Sequence, residues 1–353
     1  MSLTPHLLEV ENLTVTFGLR SGDLTAIDGV SFTLDKGERL GLVGESGAGK
    51  SVTGFAIINL ISKPGAITGG CIRFQGRDLA GLSEEAIRDI RGHRISMIFQ
   101  DPMMTLNPVL TIGTQMVETL QAHRRISKRE AEALALEKLR KVYISSPEKR
   151  LAQYPHEFSG GMRQRIVIAI ALLSDPLLII ADEPTTALDV TIQAEIMDLL
   201  QELCTTQAMG LILITHDLGV VSQVTERIAV MYAGRIIETG PTDDIIRQPQ
   251  HPYTMGLIRA LPGSLAPGEP LHQIPGMMPN LTSIPVGCAF HPRCPFTAVA
   301  CSRRRPELIT AREPRRQSAC HMVAAEAGID IGEPLPGGRW PVAASAGGDN
   351  HGF

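Results

Sequence analysis

The sequence predicts an α/β fold built on a mainly parallel β-sheet, followed by a small loop-rich C-terminal domain. Short apolar segments alternate with helical segments along the first 250 residues, the pattern of a parallel sheet with helices on its faces. A glycine-rich turn near residue 44 joins an apolar strand to an apolar helix. After Gln250 proline and glycine recur and the regular patterns fade, which indicates a second domain.

The individual elements follow from residue periodicity. Alternating or β-branched residues predict strands at 7–17 and 30–34, and apolar runs predict strands at 39–43, 95–99, 177–181, 211–215 and 228–232. Helices are predicted over 51–61 and 191–204. Between residues 100 and 159 the pattern is helical without strands, which indicates a helical insertion in the α/β core. Residues 231–238 predict a hairpin that turns at Ala233 and Gly234.

The length of 353 residues suggests about two domains at ~100–200 residues each. We predict a first domain over 1–250, with a helical subdomain over about 101–165. A C-terminal domain is predicted over 251–330, and the Gly/Ala/Pro-rich residues 331–353 are predicted to form a mobile tail.

Composition excludes several classes of function. The 33 basic and 37 acidic residues leave a net charge of −4, so no positive field indicates nucleic-acid binding. Aromatic residues make up 4% of the chain, too few for a platform that stacks single-stranded bases. The N-terminus lacks the features of a signal peptide, and the longest apolar run, 166–173, is far shorter than the ~20 residues of a membrane span. We therefore expect a cytosolic chain that sits on a membrane protein without crossing the membrane.

The strongest chemical signal is a phosphate-binding loop (the P-loop) at residues 44–51. Its sequence, GESGAGKS, matches G-x-x-x-x-G-K-[ST] between a strand and a helix. Backbone N–H groups of such a loop surround phosphate oxygens, and the helix N-terminus adds partial positive charge. Lys50 is expected to bridge the β- and γ-phosphates of a nucleotide, and the Ser51 hydroxyl to bind Mg²⁺. The predicted nucleotide-binding residues here are Gly44, Glu45, Ser46, Gly47, Ala48, Gly49, Lys50, Ser51 and Val52.

Two carboxylates follow a buried strand later in the chain. Asp182 and Glu183 end the apolar segment that starts at residue 177. A carboxylate at such a strand tip can anchor Mg²⁺ beside a phosphate-binding loop, a role predicted for Asp182. Glu183 can face the attacking water and act as general base.

A second anion-binding turn identifies a family. Phe158-Ser-Gly-Gly-Met162 opens a helix about twenty residues before the acidic strand, and it resembles the signature motif of ABC-type ATPases. The other motifs of that family follow in its order. They are Phe17 under the adenine, Gln100 in the Q-loop, Ala187-Leu188-Asp189 in the D-loop and His216 as the switch histidine. Over residues 10–245 the chain resembles the nucleotide-binding subunit of an ABC importer.

The resemblance implies both a fold and a mechanism. The fold is a P-loop NTPase domain with a RecA-like sheet, an N-terminal antiparallel β subdomain and a helical subdomain. ATP and Mg²⁺ are the implied cofactors, and Gln100, Glu183 and His216 the implied catalytic residues. Each ATP would lie between the P-loop of one subunit and the signature and D-loop residues of a second, identical or homologous subunit. Those residues are Ser159, Gly160, Gly161, Met162 and Asp189.

The chain closely resembles dipeptide and oligopeptide importer ATPases at segments 154–165, 182–193 and 251–254. Nickel and glutathione importers share these segments. One departure is Tyr143, where relatives usually have glycine. The resemblance implies two transmembrane permease subunits, an indirect link to a solute-binding protein, and a place on the cytoplasmic face of the inner membrane. The alternatives are a soluble ABC ATPase of repair or translation, and a regulatory iron–sulfur module. The long coiled-coil insertion of the repair proteins and the second cassette of the translation proteins are not visible in this sequence.

Four cysteines crowd into the C-terminal domain. In a cytosolic chain this favours a metal site over disulfides. The absence of a C-x-x-C pair disfavours a zinc ribbon, whereas four thiolates suit a [4Fe–4S] cluster, which the resemblance also implies. Bound zinc and a C-terminal domain without metal remain alternatives. His291 and His321 remain alternative ligands. The four cysteines are Cys288, Cys294, Cys301 and Cys320.

Basic residues also gather in this domain. They form either a solvated surface or a contact with anionic lipid headgroups. The members are Arg303, Arg304, Arg305, Arg312, Arg315 and Arg316.

Overall fold

The computed structural model describes residues 6–20, 22–186, 188–261, 272–310 and 313–331. Most of the tail predicted at 331–353, Ala187 of the predicted D-loop, Arg312 of the basic group and the prolines between 262 and 271 lie outside the described residues.

The strands in chain order are β1 (Leu8–Leu19), β2 (Gly22–Leu34), β3 (Arg39–Val43), β4 (Gly65–Phe74), β5 (Arg77–Asp78), β6 (Ile95–Ile98), β7 (Leu178–Asp182), β8 (Gly210–Thr215), β9 (Arg227–Tyr232), β10 (Arg235–Pro241), β11 (Ile309–Thr310) and β12 (Gln317–Ser318).

The helices are α1 (Lys50–Ile57), α2 (Glu84–Arg88), α3 (Pro102–Thr105), α4 (Ile112–His123), α5 (Lys128–Lys141), α6 (Pro147–Arg150), α7 (Gly160–Ala171), α8 (Val190–Gln207), α9 (Leu218–Val224), α10 (Thr242–Arg247), α11 (Pro252–Arg259), α12 (Val299–Arg303) and α13 (His321–Glu326).

The central sheet has the strand order β11-β12-β10-β9-β3-β8-β7-β6. From β9 to β6 the strands run parallel, and the other pairs are antiparallel. Strands β7 and β8 are buried along their whole length, which explains why their sequences are continuous apolar runs. The predicted mainly parallel sheet is confirmed. Because parallel strands end at one edge, β3, β7 and β8 bring the P-loop, Asp182 and His216 to the same side of the molecule.

A separate antiparallel sheet, ordered β2-β1-β4-β5, precedes and flanks the core. The sequence predicts only part of β2 and does not predict β4. Three glycines hide the strand pattern of β4, and one of them, Gly70, has a φ of +79°. A Cβ at Gly70 would lie 2.3 Å from the Glu11 carbonyl oxygen. Glycine is therefore required where β1 and β4 shift register and their backbones approach closely.

The residues between β6 and the signature turn are helical, as predicted, and form α3 to α6. Helix α5 begins with a capping box, in which Ser127 and Glu130 satisfy each other's backbone N–H groups. The apolar side chains on one face of this helix are buried at Ala131, Ala135 and Leu139. The domain boundaries themselves remain predictions.

The C-terminal region (the described residues from 251 to 331) packs onto the core. Strand β12 pairs with β10 at the edge of the central sheet. Glu238 of β10 is fully buried and accepts hydrogen bonds from the backbone N–H groups of Gln250 (2.7 Å) and His251 (2.9 Å). The region is loop-rich with short elements, as expected, and these pairings tie it to the central sheet instead of leaving it extended.

One member of the basic group is not at the surface. Arg316 is 2% exposed, and one of its side-chain nitrogens lies 3.6 Å from a carboxylate oxygen of Glu238. The expectation that it forms part of a solvated or lipid-binding surface is wrong, since a buried arginine needs a carboxylate partner. Arg303, Arg304, Arg305 and Arg315 are exposed.

Candidate active site

The P-loop connects β3 to α1. It turns back over the end of the sheet through glycines with positive φ, including Gly49 at +103°. A Cβ at Gly49 would lie 2.6 Å from Ile27 Cδ1 and 3.0 Å from the Ala26 carbonyl oxygen. A larger residue there would push the loop away from β2, so only glycine allows this close packing.

Lys50 is the first residue of α1 and is buried. Its Nζ donates hydrogen bonds to the carbonyl oxygens of Gly44 at 2.8 Å and Glu45 at 3.0 Å. Burial lowers its pKa, and the nearby Glu183, Asp182 and Glu45 carboxylates oppose that shift. An ammonium group shielded from water at the mouth of a glycine-rich loop is suited to bind phosphate.

The next residue forms a pair of oxygen ligands with the acidic strand. The Ser51 hydroxyl donates to Asp182 Oδ1 at 2.9 Å. Burial raises the pKa of Asp182, and the hydrogen bond from Ser51 opposes the shift. Mg²⁺ is usually bound by one or two protein oxygen ligands together with substrate phosphates and water. A hydroxyl and a carboxylate beside the P-loop therefore fit Mg²⁺, and Ser51 and Asp182 would hold it.

Glu183 is the centre of a small polar cluster. Its Oε2 accepts hydrogen bonds from Gln100 Nε2 at 3.1 Å and from the Thr186 hydroxyl at 2.9 Å. Its Oε1 lies 3.2 Å from His216 Nδ1. The three residues that the sequence predicts as catalytic are thus brought together from three strand ends. Thr186 was not predicted, and the only sequence signal was a hydroxyl residue three positions after the acid.

The backbone at Glu183 is unusual. Its φ is +44°, in the left-handed region that non-glycine residues rarely adopt. The Glu183 N–H donates to the Ile214 carbonyl oxygen of β8 at 2.8 Å, which holds the residue in place. Strained conformations of this kind cluster at functional sites. Here the turn directs the carboxylate towards Gln100 and His216.

A cavity of about 820 Å³ lies over the P-loop. This volume is within the range of small-molecule sites. Its described walls include Phe17 and Val52, the catalytic candidates Gln100, Glu183 and His216, and the P-loop except Ala48, which is buried beneath it. Leu257 and Leu281 of the C-terminal region complete the wall; neither was predicted, because nothing in their local sequence signals a nucleotide.

The signature turn lies elsewhere. Ser159 caps α7 by accepting a hydrogen bond from the Met162 N–H at 3.4 Å, and Ser159 and Gly160 are exposed. Asp189 caps α8 in the same way through the Ile192 N–H at 3.0 Å. Among the described residues that line the cavity, none belongs to the signature turn or the D-loop. Within one chain these residues do not meet the P-loop cavity.

The four C-terminal cysteines converge on a cavity of about 20 Å³. All are free thiols, and burial raises the pKa of Cys288 and Cys294 to about 11 and that of Cys320 to about 12. Within the described residues, no group of three or more His, Cys, Asp or Glu residues is placed to hold a metal ion. The geometry therefore brings the four thiols to one cavity, but among the described residues it does not arrange them as a metal-binding group.

The two histidines named as substitute ligands are engaged with backbone oxygens. His291 Nδ1 lies 2.9 Å from the Cys288 carbonyl oxygen, and His321 Nε2 lies 2.8 Å from that of Arg304. Each of these two ring nitrogens donates to its carbonyl oxygen, although both histidines also line the cavity of the four thiols.

Comparison with known proteins establishes the family. Residues 27–186 match the ABC transporter family, and residues 237–301 match the C-terminal region of oligopeptide/dipeptide transporters. The chain is 49% identical over 325 residues to a peptide import ATP-binding protein of Brucella abortus strain 2308, covering 89% of this chain and 96% of the relative. It is 49% identical over 314 residues to the oligopeptide transport ATP-binding protein OppD of Salmonella typhimurium strain LT2, covering 89% and 93%.

The solved structures support the same assignment. The ATP-binding cassette MJ0796, a dimer bound to ADP and Pi, is 28% identical with a TM-score of 0.60, covering 67% of this chain and 98% of the cassette. The cbiO1 protein of Clostridium perfringens, part of an ABC transporter complex, is 26% identical with a TM-score of 0.58, covering 68% and 90%. The protein is therefore an ATP-hydrolysing ABC subunit. It belongs to the group that carries the oligopeptide/dipeptide transporter C-terminal region, and the predicted fold is confirmed.

Proposed function

We propose that this protein energises a peptide importer, coupling ATP hydrolysis to the uptake of dipeptides or oligopeptides. The observation that carries the proposal is the pairing of an ATPase half-site, centred on Glu183, with a tightly packed C-terminal region of the oligopeptide type. The names of the relatives, a peptide import protein and an oligopeptide transport protein, support the same solute class. No observation favours nickel, glutathione, DNA repair or translation.

The geometry supports a proposed role for each group of the active site. Lys50 and the P-loop N–H groups would bind the β- and γ-phosphates, and Phe17 would pack against the adenine. Glu183 would accept a proton from the water that attacks the γ-phosphorus, releasing ADP and phosphate. Gln100 and His216, both within hydrogen-bond reach of that carboxylate, would orient it and the water.

The signature turn requires a second subunit. Because Ser159 and Gly160 are exposed and lie outside the cavity of their own chain, we propose that they close on the ATP of a partner ATPase, together with Gly161, Met162 and Asp189. ATP then stabilises the closed pair, and loss of the γ-phosphate releases it.

The remaining partners are membrane proteins. No helix among the described residues has the length and apolarity of a membrane span. We propose that two permease subunits hold the protein at the cytoplasmic face of the inner membrane, and that a solute-binding protein delivers peptide to them. With a net charge of −4, nucleic acid is not a proposed partner.

The proposal is tested by purifying the protein from membranes and identifying the subunits that accompany it. Two permease subunits and an ATPase partner are expected. After reconstitution in vesicles with the binding protein, peptide should stimulate ATP hydrolysis, and Ser159→Arg in both ATPases should abolish the stimulation. Recovery of ribosomes or nucleic acid instead of permeases would overturn the proposal, and stimulation by nickel or glutathione alone would change the solute.

We also propose a [4Fe–4S] cluster on Cys288, Cys294, Cys301 and Cys320. The supporting observation is that all four thiols line one small cavity, and four cysteines are the usual ligand set. Bound there, the cluster would cross-link a region with few large apolar side chains. Protein purified without oxygen should be brown with about four irons per chain. Cys294→Ser should bleach it and Cys71→Ser, outside the set, should not. A colourless anaerobic preparation, with zinc or without metal, would contradict the cluster.

A further inference from the structure

Glu45, the second residue of the P-loop, is held by two side chains of the C-terminal region. Its backbone N–H donates to the Tyr253 hydroxyl oxygen at 2.8 Å. Its carboxylate accepts two hydrogen bonds from the Arg293 guanidinium, with Nη1 to Oε2 at 2.8 Å and Nη2 to Oε1 at 3.0 Å. Both the backbone and the side chain of Glu45 are therefore fixed by residues more than 200 positions away in sequence.

Arg293 is itself firmly placed. Its side chain is 7% exposed, and its Nε donates to the Pro275 carbonyl oxygen at 2.8 Å. The guanidinium lies over the rings of Tyr232 and Phe290, with its central carbon 5.9 Å and 5.8 Å from their centroids. A two-pronged arginine–carboxylate pair restricts the carboxylate in direction as well as distance. Arg293 is therefore immobilised and holds the Glu45 carboxylate of the P-loop in one orientation.

Glu45 in turn connects to the nucleotide-binding groups. Its carbonyl oxygen accepts one of the two hydrogen bonds from Lys50 Nζ. The C-terminal region also covers the loop directly, since a Cβ at Gly47 would lie 2.9 Å from Met278 Cε. Leu257 and Leu281 line the same cavity as the P-loop. The phosphate-binding loop is thus enclosed by the region that follows the ATPase domain.

We propose that Arg293 is a positioning residue of the ATPase. Through Glu45, and together with Tyr253, it holds the P-loop in its phosphate-binding shape, so that nucleotide affinity depends on docking of the C-terminal region. A loop ordered before binding loses less conformational entropy when ATP arrives. The inference rests on the proposed ATPase function only through ATP binding at the P-loop; it does not depend on the transported solute.

The test uses full-length protein and a fluorescent ATP analogue with Mg²⁺. Arg293→Met should weaken binding about tenfold, a change of about 1.4 kcal/mol. It should also speed amide hydrogen exchange over residues 44–51 without changing residues 95–99. Arg304→Met is the matched control, because that exposed arginine of the same region reaches the Asp330 carbonyl oxygen at 3.3 Å and not the P-loop. The control should bind like the wild type.

A second measurement separates positioning through Glu45 from general loosening of the region. Glu45→Met should also weaken binding about tenfold, because it removes the carboxylate through which Arg293 holds the P-loop. If Arg293 acts through Glu45, the double variant should bind no more weakly than Arg293→Met alone. Losses that multiply to about a hundredfold would overturn the inference.

Two further outcomes are decisive. An Arg293→Met protein that binds within twofold of the wild type, with unchanged exchange at 44–51, would overturn the inference while leaving the ATPase proposal intact. A wild type that does not bind the analogue would instead refute the proposed function. Should Arg293→Met fail to fold, Arg293→Lys, which keeps the charge but not the two-pronged geometry, is judged by the same binding and exchange criteria.

Discussion

Replacing Glu183 by glutamine tests the chemistry of the active site with little structural change. The two side chains have nearly the same shape, and the glutamine oxygen can still accept the hydrogen bond from Thr186 at 2.9 Å. The amide group that replaces the other oxygen is no proton acceptor. We therefore expect a folded protein that binds ATP and hydrolyses it slowly.

The magnitude follows from the role of the carboxylate. Loss of a general base costs ~10²–10⁴ in rate, which corresponds to about 2.7–5.4 kcal/mol of barrier. The hydrogen bonds to Gln100 and His216 are retained only in part, so the loss should lie towards the upper part of that range. In the proposed mechanism hydrolysis also releases the partner, so the variant should accumulate as a closed dimer with bound ATP.

The assay is steady-state phosphate release by the assembled complex, with nucleotide affinity and dimer content measured in parallel. Glu202→Gln is the matched control, since this exposed carboxylate only accepts a hydrogen bond from the Tyr143 hydroxyl. The control should turn over normally. Turnover of Glu183→Gln within threefold of the wild type would refute the general-base role, and loss of ATP binding would show that Glu183 acts in binding instead.

Three other predictions concern binding, assembly and stability. Lys50→Ala should weaken ATP binding by tenfold or more in a titration, because the phosphates lose their buried counter-charge; unchanged affinity would contradict the role. Ser159→Arg should leave ATP binding to its own P-loop intact while preventing dimer closure in size-exclusion chromatography, and normal closure would rule out the shared site. Burial lowers the pKa of His251 to about 3, below its ordinary value of 6.5, so stability should be full above about pH 6.5 and fall as the pH drops towards 3. Each bound proton contributes about 1.4 kcal/mol per pH unit. His251→Asn, which keeps an acceptor for the Tyr253 N–H, should remove that slope in urea unfolding between pH 6.5 and 5; parallel pH profiles would contradict the assignment.

Much of the active site was predictable because its parts are local. The P-loop is contiguous, and its glycines are required by backbone conformation, as at Gly49. The convergence of Ser51 with Asp182 also followed, since parallel strands end at one edge of the sheet. Thr186 was missed because a threonine after an acidic pair has no distinctive chemistry until its partner is known.

Local sequence patterns gave no correct prediction where the structure of a segment depends on contacts with distant residues. The glycines of β4 weaken its strand signal, and pairing with β1 and β5 makes it a strand. Arg316 belongs to a charged stretch of sequence, yet its pairing with Glu238 buries it. Neither the strand β4 nor the burial of Arg316 can be predicted from neighbouring residues, because both depend on distant parts of the chain.

By itself, the sequence determined the α/β class, the order of the ATPase motifs and the family. Each of these depends on short contiguous segments, whose backbone conformation is set by the residues within them. Tertiary structure alone decided how the C-terminal region relates to the ATP site. Arg293, next in sequence to Cys294 and far from every ATP motif, pairs with Glu45 of the P-loop. The physical reason is that a charge pair depends on distance in space, and folding brought together two residues 248 positions apart.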